Sequence, residues 1–421
     1  MVSFFFPPLG GPGAQRSVKL AKYLPRFGWE PVVLTSSSKD YYAFDRSLFD
    51  DLPESIQIVR TSILDMLPVY EWLYKFRLDA LARYLKDREA SFLLPDKRCG
   101  WIPHAYWSGL KTITSQKISA LFTTSEPYSS HLIGLFLKLR TGIPWIADFR
   151  DVWSDSNEIK KTRFRSVLHR YLEKAVLKYA DKVVSTSEQT NAILSKKWSD
   201  SKDKFVSIPN GYDEEDIAPL RRIPQQTGKC IILYTGITSG RHTAFECFFR
   251  AIRKLLDGQR IRREDIEIRC IGIPPSAQCI KDSGLHDIVT TPGYVEHKEV
   301  IRHFAEATIL LLVVTAIQGG HAIPGKTFEY MATGRPILAL VPPDGAAADV
   351  VRRSNTGRII HPNNTEEIAH ALEQYYQEWK RLGRVDTYPN RSYIEQFERK
   401  RIAERFAKIL DSLPASNKPK E

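Results

Sequence analysis

The sequence predicts an α/β chain made of two Rossmann-like, doubly wound domains in tandem. Three observations carry that expectation. Apolar, β-type runs alternate with helical stretches from the first residues onward. The alternation breaks once, across residues 209–228, where Asn210-Gly211 makes a turn and the acidic, then Pro/Gln/Gly-rich stretch after it is poor in apolar residues. Beyond the break the same alternation starts again.

In the first half, residues 2–6 form a short apolar β run and residues 7–13 a loop punctuated by Pro and Gly. Residues 14–27 carry apolar side chains at 18, 21, 24 and 27, one stripe of a helix, and residues 30–35 make a second β run. Strand, helix and strand together give a parallel βαβ unit. Strands follow at 121–124, 145–147 and 182–186, with helices at 128–139 and 163–179, while residues 60–111 fit the pattern poorly and read as an insertion of helices and loop. In the second half the strands fall at 230–234, 266–271, 308–314 and 337–341. Helices fall at 244–256, 297–307, from about 326, and at 366–380. A long helical pattern spans 392–413, and residues from 416 on read as disordered. The expected division is therefore 1–220, 221–385, a C-terminal helix at 386–413 packing back toward the first domain, and a flexible tail at 414–421.

Composition narrows the class. The 421 residues are 43% apolar and 26% charged, with 8 Trp, 18 Tyr and 20 Phe, which suits two globular cores and excludes disorder and collagen-like repeats. No apolar run reaches the ~20 residues of a spanning helix. The start MVSFFFPPLGG lacks a basic segment, and Pro7-Pro8 interrupts its apolar run, so it does not read as a signal peptide. The five cysteines are odd in number and contain no C-x-x-C pair, so neither a disulfide framework nor a cysteine-based zinc site is expected, and a reducing cytoplasm fits. Cys270 and Cys279 read as small buried hydrophobes. The formal charge of +12 admits nucleic acid, an anionic membrane surface or anionic small substrates as partners. Lys and Arg are spread along the whole chain and no nucleic-acid-binding module is recognisable, so no nucleic-acid partner is expected.

Two loops that open helices after strands carry the chemistry. In Pro7-Pro8-Leu9-Gly10-Gly11-Pro12-Gly13, glycines such as Gly11 and Gly13 let the backbone approach a ligand, and the helix start that follows favours a phosphate. This is no G-x-G-x-x-G fingerprint, and a plain βα turn would look the same. In the second loop, Gly325-Lys326-Thr327 opens a helix and Glu329 lies in its first turn. Backbone N–H groups with Lys326 can bind a diphosphate, and Glu329 can accept from two vicinal sugar hydroxyls. Glu329 could equally just complement the helix dipole. Gly320 to Thr327 also satisfies the P-loop pattern G-x-x-x-x-G-K-T, but Pro324 and the flanking residues 328–336 argue against a nucleoside triphosphatase.

Those flanking residues belong to a wider set: PPLGGPGAQR near the start, ADFRDVW at 147–153, IPNGYD at 208–213, LYTGITSGR at 233–241 and GKTFEYMATGRPIL at 325–338. With them the chain resembles the family 4, or group 1, glycosyltransferases of GT-B architecture. The resemblance implies two Rossmann-like domains facing each other across a cleft, with a nucleotide-diphosphate sugar held by the C-terminal domain and the acceptor by the N-terminal one. It implies retaining, metal-independent transfer to a glycan or lipid-linked acceptor in cell-surface polysaccharide or glycolipid synthesis. No cofactor is called for. The resemblance makes Arg241 and Lys326 the cations of the donor diphosphate, with Gly236, Gly325 and Thr327 beside them and Glu329 on the ribose. The first carboxylate of the family's E-x7-E motif is replaced by His321, a candidate contact to the transferred sugar. Where many members carry a His-Asp pair, this chain has Arg150-Asp151, leaving Asp151 and Asp148 as catalytic candidates. Ser125 and Tyr128, in a strand-to-helix turn, are candidate contacts to acceptor or sugar, although Ser125 could equally cap the helix.

The absence of any Asp-x-Asp fits the same chemistry, since that motif holds a divalent ion on the diphosphate in other transferases. Without a metal, cations and a helix N-terminus must neutralise the leaving group. Two further enzyme-free or acceptor-free readings stay open: a nucleotide-sugar epimerase or hydrolase on the same fold, and a non-catalytic nucleotide-sugar-binding protein. Residues 63–86 mix Trp72, Phe76 and other apolar residues with Lys75, Arg77 and Arg83, a candidate for peripheral contact with an anionic membrane at the inner face of the cytoplasmic membrane. His297 and His303 read as core or surface residues.

Overall fold

The computed structural model describes residues 1–38, 41–64, 67–155, 162–198, 202–223, 228–238, 241–315 and 320–414. The tail from 415 on, residues 224–227 of the linker, and Ser239 and Gly240 of the LYTGITSGR string lie outside the described residues. By its internal contacts the chain divides into two units: Met1–Phe44 with Leu48–Ile208 and Ala403–Glu421, and Asp45–Ser47 with Pro209–Ile402.

In the first unit the order is α1 (Pro12–Tyr23), β1 (Val32–Ser36), β2 (Gln57–Thr61), α2 (Leu67–Lys75), α3 (Asp79–Phe92), α4 (Ile102–Ser115), β3 (Leu121–Thr124), α5 (Ser129–Thr141), β4 (Trp145–Phe149), α6 (Arg163–Tyr179), β5 (Lys182–Ser185), α7 (Glu188–Lys197) and β6 (Phe205–Ser207). All ladders are parallel. The expected first strand contracts to a single bridge residue: Val2 pairs with Leu34 on one side and Thr123 on the other. Beyond it the chain turns away at Pro7-Pro8, while Phe4 and Phe6 drop into the core. With Val2 as its centre the sheet runs β2, β1, Val2, β3, β4, β5, β6. Counted from Val2, that begins in the doubly wound order 3-2-1-4-5-6. The strand at 57–61 falls partly in the stretch read as an insertion. Its half-exposed residues mark an edge strand, which has little apolar signal to read.

The second unit holds α8 (Glu214–Ile217), β7 (Cys230–Ile237), α9 (His242–Asp257), β8 (Ile266–Ile273), α10 (Ala277–Ser283), β9 (Val289–Gly293), α11 (His297–Glu306), β10 (Ile309–Val313), α12 (Lys326–Thr333), β11 (Ile337–Leu340), α13 (Ala346–Ser354), β12 (Gly357–Ile360), α14 (Thr365–Leu382) and α15 (Arg391–Glu395). The strand order is β12-β11-β10-β7-β8-β9, again 3-2-1-4-5-6. Both faces are covered. Along β10, Leu311 and Val313 pack into one core cluster with Phe245 and Phe249, and Leu310 and Leu312 into the other with Phe328 and Met331.

The helical pattern at 392–413 is two helices, α15 and α16 (Arg399–Asp411). Between them the chain leaves helical geometry to pair with Tyr212, whose N–H donates to the Phe397 carbonyl (3.1 Å) and whose carbonyl accepts from Arg399 (2.8 Å). Gly211 is required there, since a Cβ would sit 2.0 Å from the Phe397 carbonyl oxygen. From residue 403 on α16 counts with the first unit, where Phe406 meets Phe122 edge-on.

Candidate functional site

In the second unit the strand order reverses between β7 and β10, the position at which doubly wound sheets bind ligands beyond their strand ends. The helices that follow these two strands are α9 and α12. Arg241 is the residue before the first turn of α9. Its Nε donates to the Val313 carbonyl at the end of β10 (3.2 Å), and its guanidinium also bonds the Ile237 carbonyl. Lys326 is the first residue of α12. Its Nζ donates to the Thr235 carbonyl and lies 3.7 Å over the Tyr234 ring. A Cβ on Gly236 would stand 3.4 Å from that ammonium. Gly236 (φ 120°) and its register partner Gly272 (φ 105°) cross so closely that a Cβ on Gly272 would meet the Gly236 carbonyl oxygen at 2.5 Å.

Two basic side chains are thus brought near each other at the strand ends. Burial, and then the neighbouring Arg241, hold the Lys326 amine well below the ordinary lysine range. The support around it is buried and polar. Tyr330 shares its hydroxyl with Thr235 N (3.1 Å) and Oγ1 (3.0 Å), and Tyr234 donates to the Ile237 carbonyl (2.8 Å). Burial pushes the Tyr234 phenol up to about 12 and raises Tyr330 too, so both tyrosines stay neutral, Tyr330 accepting from the Thr235 N–H. Thr327 is fully buried one residue into the helix, and its Oγ1 has no hydrogen-bond partner. Gly325 begins the helical turn, and His321 lies in the partly exposed turn ahead of it. Glu329, one turn along, has an oxygen 3.8 Å from His297 Nε2, which is also 3.6 Å from Asp216. The backbone N–H of His297 is capped by Asp45 (2.8 Å).

In the first unit the candidates gather at the ends of β3 and β4. Asp148 is wholly buried, and its two oxygens accept from Arg16 Nη2 (2.8 Å) and Nε (2.9 Å), with Thr124 Oγ1 adding a third bond (2.7 Å). Arg16 reaches on to the Ile208 carbonyl (2.9 Å), so one guanidinium ties α1 to the end of β4 and the end of the unit. Arg150 donates to the carbonyls of Gly13 (2.7 Å) and Pro12 (2.6 Å), clamping the Gly-rich loop, in which Gly11 has φ 74°. Ser125 Oγ accepts from the Arg150 N–H (3.3 Å). Tyr128 lies flat on Trp153 at 4.8 Å and donates to the Val152 carbonyl (3.3 Å). Asp151 is exposed on the loop after β4. The start of α5 is capped by half-buried Asp96, which accepts from Ser129 N and Oγ (both 2.8 Å) and whose carboxyl desolvation pushes up.

The structure thus brings Gly236, Arg241, Gly325, Lys326, Thr327 and Glu329 to one edge of the second unit. It gathers Gly11, Gly13, Ser125, Tyr128, Asp148, Arg150 and Asp151 at one edge of the first. Sequence reasoning missed Arg16, which pairs with Asp148 across 132 positions, and Tyr234, Tyr330 and His297. Tyr234 and Tyr330 lie inside the quoted LYTG and EYMA strings, and Arg16 ends the quoted PPLGGPGAQR string, although nothing local points to its partner Asp148; His297 carries no local signal.

A family model described as glycosyl transferases group 1 matches residues 229–378, and one described as glycosyltransferase family 4 matches residues 13–216. A probable glycosyltransferase of Pseudomonas aeruginosa, WbjE, is 24% identical over 298 residues, 67% of this chain and 72% of its own length. Among solved structures, sucrose-phosphate synthase from Thermosynechococcus elongatus is similar with a TM-score of 0.63 at 17% identity, over 97% of both chains. The Anabaena protein HepE, solved with UDP, gives a TM-score of 0.62 at 14% identity over 98% of both. Matched along both halves, with two doubly wound units of the GT-B kind, the chain belongs to the group 1, family 4 glycosyltransferases.

Proposed function

We propose that this glycosyltransferase moves a sugar from a nucleotide-diphosphate sugar to a hydroxyl of a glycan or lipid-linked acceptor, with retention and without a metal ion, in cell-surface polysaccharide or glycolipid synthesis. The observation that supports it most is the Arg241–Lys326 pair at the switch point of the second unit. Two basic side chains near each other at the ends of β7 and β10, Lys326 resisting protonation first because it is buried and then because Arg241 is near, form a site that an anion relieves. A diphosphate supplies that anion. Arg241 and Lys326 hold it with the backbone of Gly236, Gly325 and Thr327, and Glu329 takes the ribose hydroxyls. His321 faces the transferred sugar in this reading. From the first unit come Asp151, Ser125, Tyr128 and Arg150 with the loop of Gly11 and Gly13. Asp148 takes a positioning part, since its oxygens are engaged by Arg16 and Thr124.

In the reaction the C1–oxygen bond to the diphosphate breaks as a bond from C1 to the acceptor oxygen forms on the same face. The hydroxyl proton passes to the departing phosphate oxygen, so no strong general base is needed. The cations stabilise the charge that develops on the leaving group. The five cysteines are all unpaired, which suits a cytoplasmic enzyme. Among the described residues no helix is long and apolar enough to cross a membrane. Arg241→Ala tests the assignment: turnover of the donor is expected to vanish with melting behaviour intact, and unchanged kinetics would reject it. NMR of the product reads the retained anomer. Sugar release at full rate without acceptor would favour the hydrolase reading.

A further inference from the structure

We infer that the first unit docks on an anionic lipid bilayer through the outer face of α4, α5 and α6, and not through the α2–α3 segment that the sequence alone suggests. The three helices pack side by side, α5 between the other two. Their composition is lopsided. Helix α4 carries one Lys or Arg, α5 two and α6 five, against a single acidic residue, Glu173. That carboxylate is buried and bound to Lys197 (2.8 Å) and Ser154, so it does not offset the surface charge.

The exposed part of this face combines charge with large apolar groups. Lys111, Arg140, Arg163, Arg170, Lys174 and Lys178 are all exposed. Between them stand Phe164 (75% exposed), Tyr171 (70%), Trp107 (67%), Leu139 (56%) and Val167 (54%). On α6, Phe164, Val167 and Tyr171 follow the i, i+3, i+7 spacing of one helical stripe, turned to solvent rather than to the core. An apolar crevice of about 400 Å³ between α4 and α5, lined by Ile102, Pro103, Tyr106, Phe136 and Leu139 with Arg140 at its side, extends the face. Water-exposed aromatics on a face without acidic groups match the interfacial zone of an anionic bilayer, where apolar side chains enter the headgroup boundary and basic ones stay with the phosphates. Helices α2 and α3 differ. They expose Trp72 and Phe76, but Glu71 and Asp79 offset Lys75 and Arg77 there, and they pack on a small core of their own formed by Tyr70, Leu73, Ala82 and Leu85.

This inference is independent of the transfer chemistry, and its test needs no donor. The full chain is sedimented with phosphatidylglycerol–phosphatidylcholine vesicles and with phosphatidylcholine vesicles alone. Three surface variants are compared with it: Phe164→Ser/Tyr171→Ser, Arg163→Glu/Arg170→Glu/Lys174→Glu, and Trp72→Ser/Phe76→Ser. Each basic residue at an anionic surface changes partitioning by about fivefold, so the triple charge reversal is expected to weaken binding about a hundredfold. The α6 serine variant should lose about tenfold or more, and Trp72→Ser/Phe76→Ser should bind like the parent. Because every replaced side chain is exposed, melting curves should match the parent's and confirm that the variants fold. The inference fails if the parent ignores anionic vesicles, if the α6 variants partition like the parent, or if the α2–α3 variant alone abolishes binding. It also fails if light scattering shows that the α6 changes break a self-association of the chain while vesicle binding is absent.

Discussion

Lys326→Met puts the anion site to a quantitative test. In the free protein the amine lies over Tyr234, bonds the Thr235 carbonyl, and is held well below the ordinary lysine range by burial and by Arg241. Methionine fills nearly the same volume without the buried charge, so the variant is expected to melt no lower than the parent. Nucleoside diphosphate binding should suffer instead. A charge-assisted hydrogen bond contributes roughly 1.5–3 kcal/mol, which predicts Kd raised by about 10- to 150-fold. The pH dependence has a definite sign. A bound anion favours the ammonium, so between the depressed free value and the ordinary one the complex takes up close to one proton. Affinity therefore falls by up to about tenfold for each pH unit of increase, and below that window it is flat. Titration calorimetry in two buffers of different ionisation enthalpy counts the protons. Proton uptake that rises with pH across that window in the parent, and that Lys326→Met lacks, is the expected result. Binding within twofold of the parent, or equal proton uptake by both proteins, would refute the reasoning.

Other perturbations test the framework around the two edges. Asp148→Ala leaves the Arg16 guanidinium buried without its carboxylate and should cost about 3–5 kcal/mol in urea denaturation; a loss under about 1 kcal/mol would contradict the buried pair. His131 is wholly buried, its Nδ1 2.8 Å from Thr123 Oγ1, and burial takes its ring down to about 3. The unfolded chain binds that proton near pH 6.5, so stability is full above that value and drains as pH falls toward 3. Between pH 7 and 5 this group alone accounts for about 2 kcal/mol, which His131→Asn should remove from the pH profile. Gly272→Ala forces a Cβ against the Gly236 carbonyl at positive φ; it should lower the melting temperature and weaken nucleotide binding together, and an effect on neither would argue against the tight crossing.

How much was legible depended on where the determinants lie along the chain. Helix α6 was readable to its ends, 163–179, because its apolar periodicity runs without interruption, and β3 because all four residues are buried. Val2 reads as the start of a strand, but its pairing lasts one bridge because two neighbours, Leu34 and Thr123, decide it, and neither is local. The split between α15 and α16 is set by Tyr212, far upstream, so the continuous helical pattern of 392–413 misleads. The same holds for the candidate site. Arg241, Lys326 and Gly236 sit in recognisable strings, and strand order alone brings them together at the switch point. Arg16 beside Asp148 and His297 between Asp216 and Glu329 are products of packing and leave no spacing to read. For membrane contact the sequence points to the basic, apolar-rich stretch 63–86. The structure moves attention to α6, whose Phe164 and Tyr171 look like core residues until their exposure is known.

The central claim is a nucleotide-diphosphate sugar on the Arg241–Lys326 pair, and the most direct test is a melting-temperature screen. The protein would be heated with each of a panel of nucleoside diphosphates, their sugars and nucleoside triphosphates, with and without EDTA. A ligand present at a hundred times its Kd adds about 2.7 kcal/mol of stability, a readily visible shift. The account predicts stabilisation by one nucleoside diphosphate and its sugar, indifferent to EDTA and lost in Arg241→Ala. Stabilisation only by a triphosphate with Mg²⁺, or by the diphosphate equally well in Arg241→Ala, would contradict it.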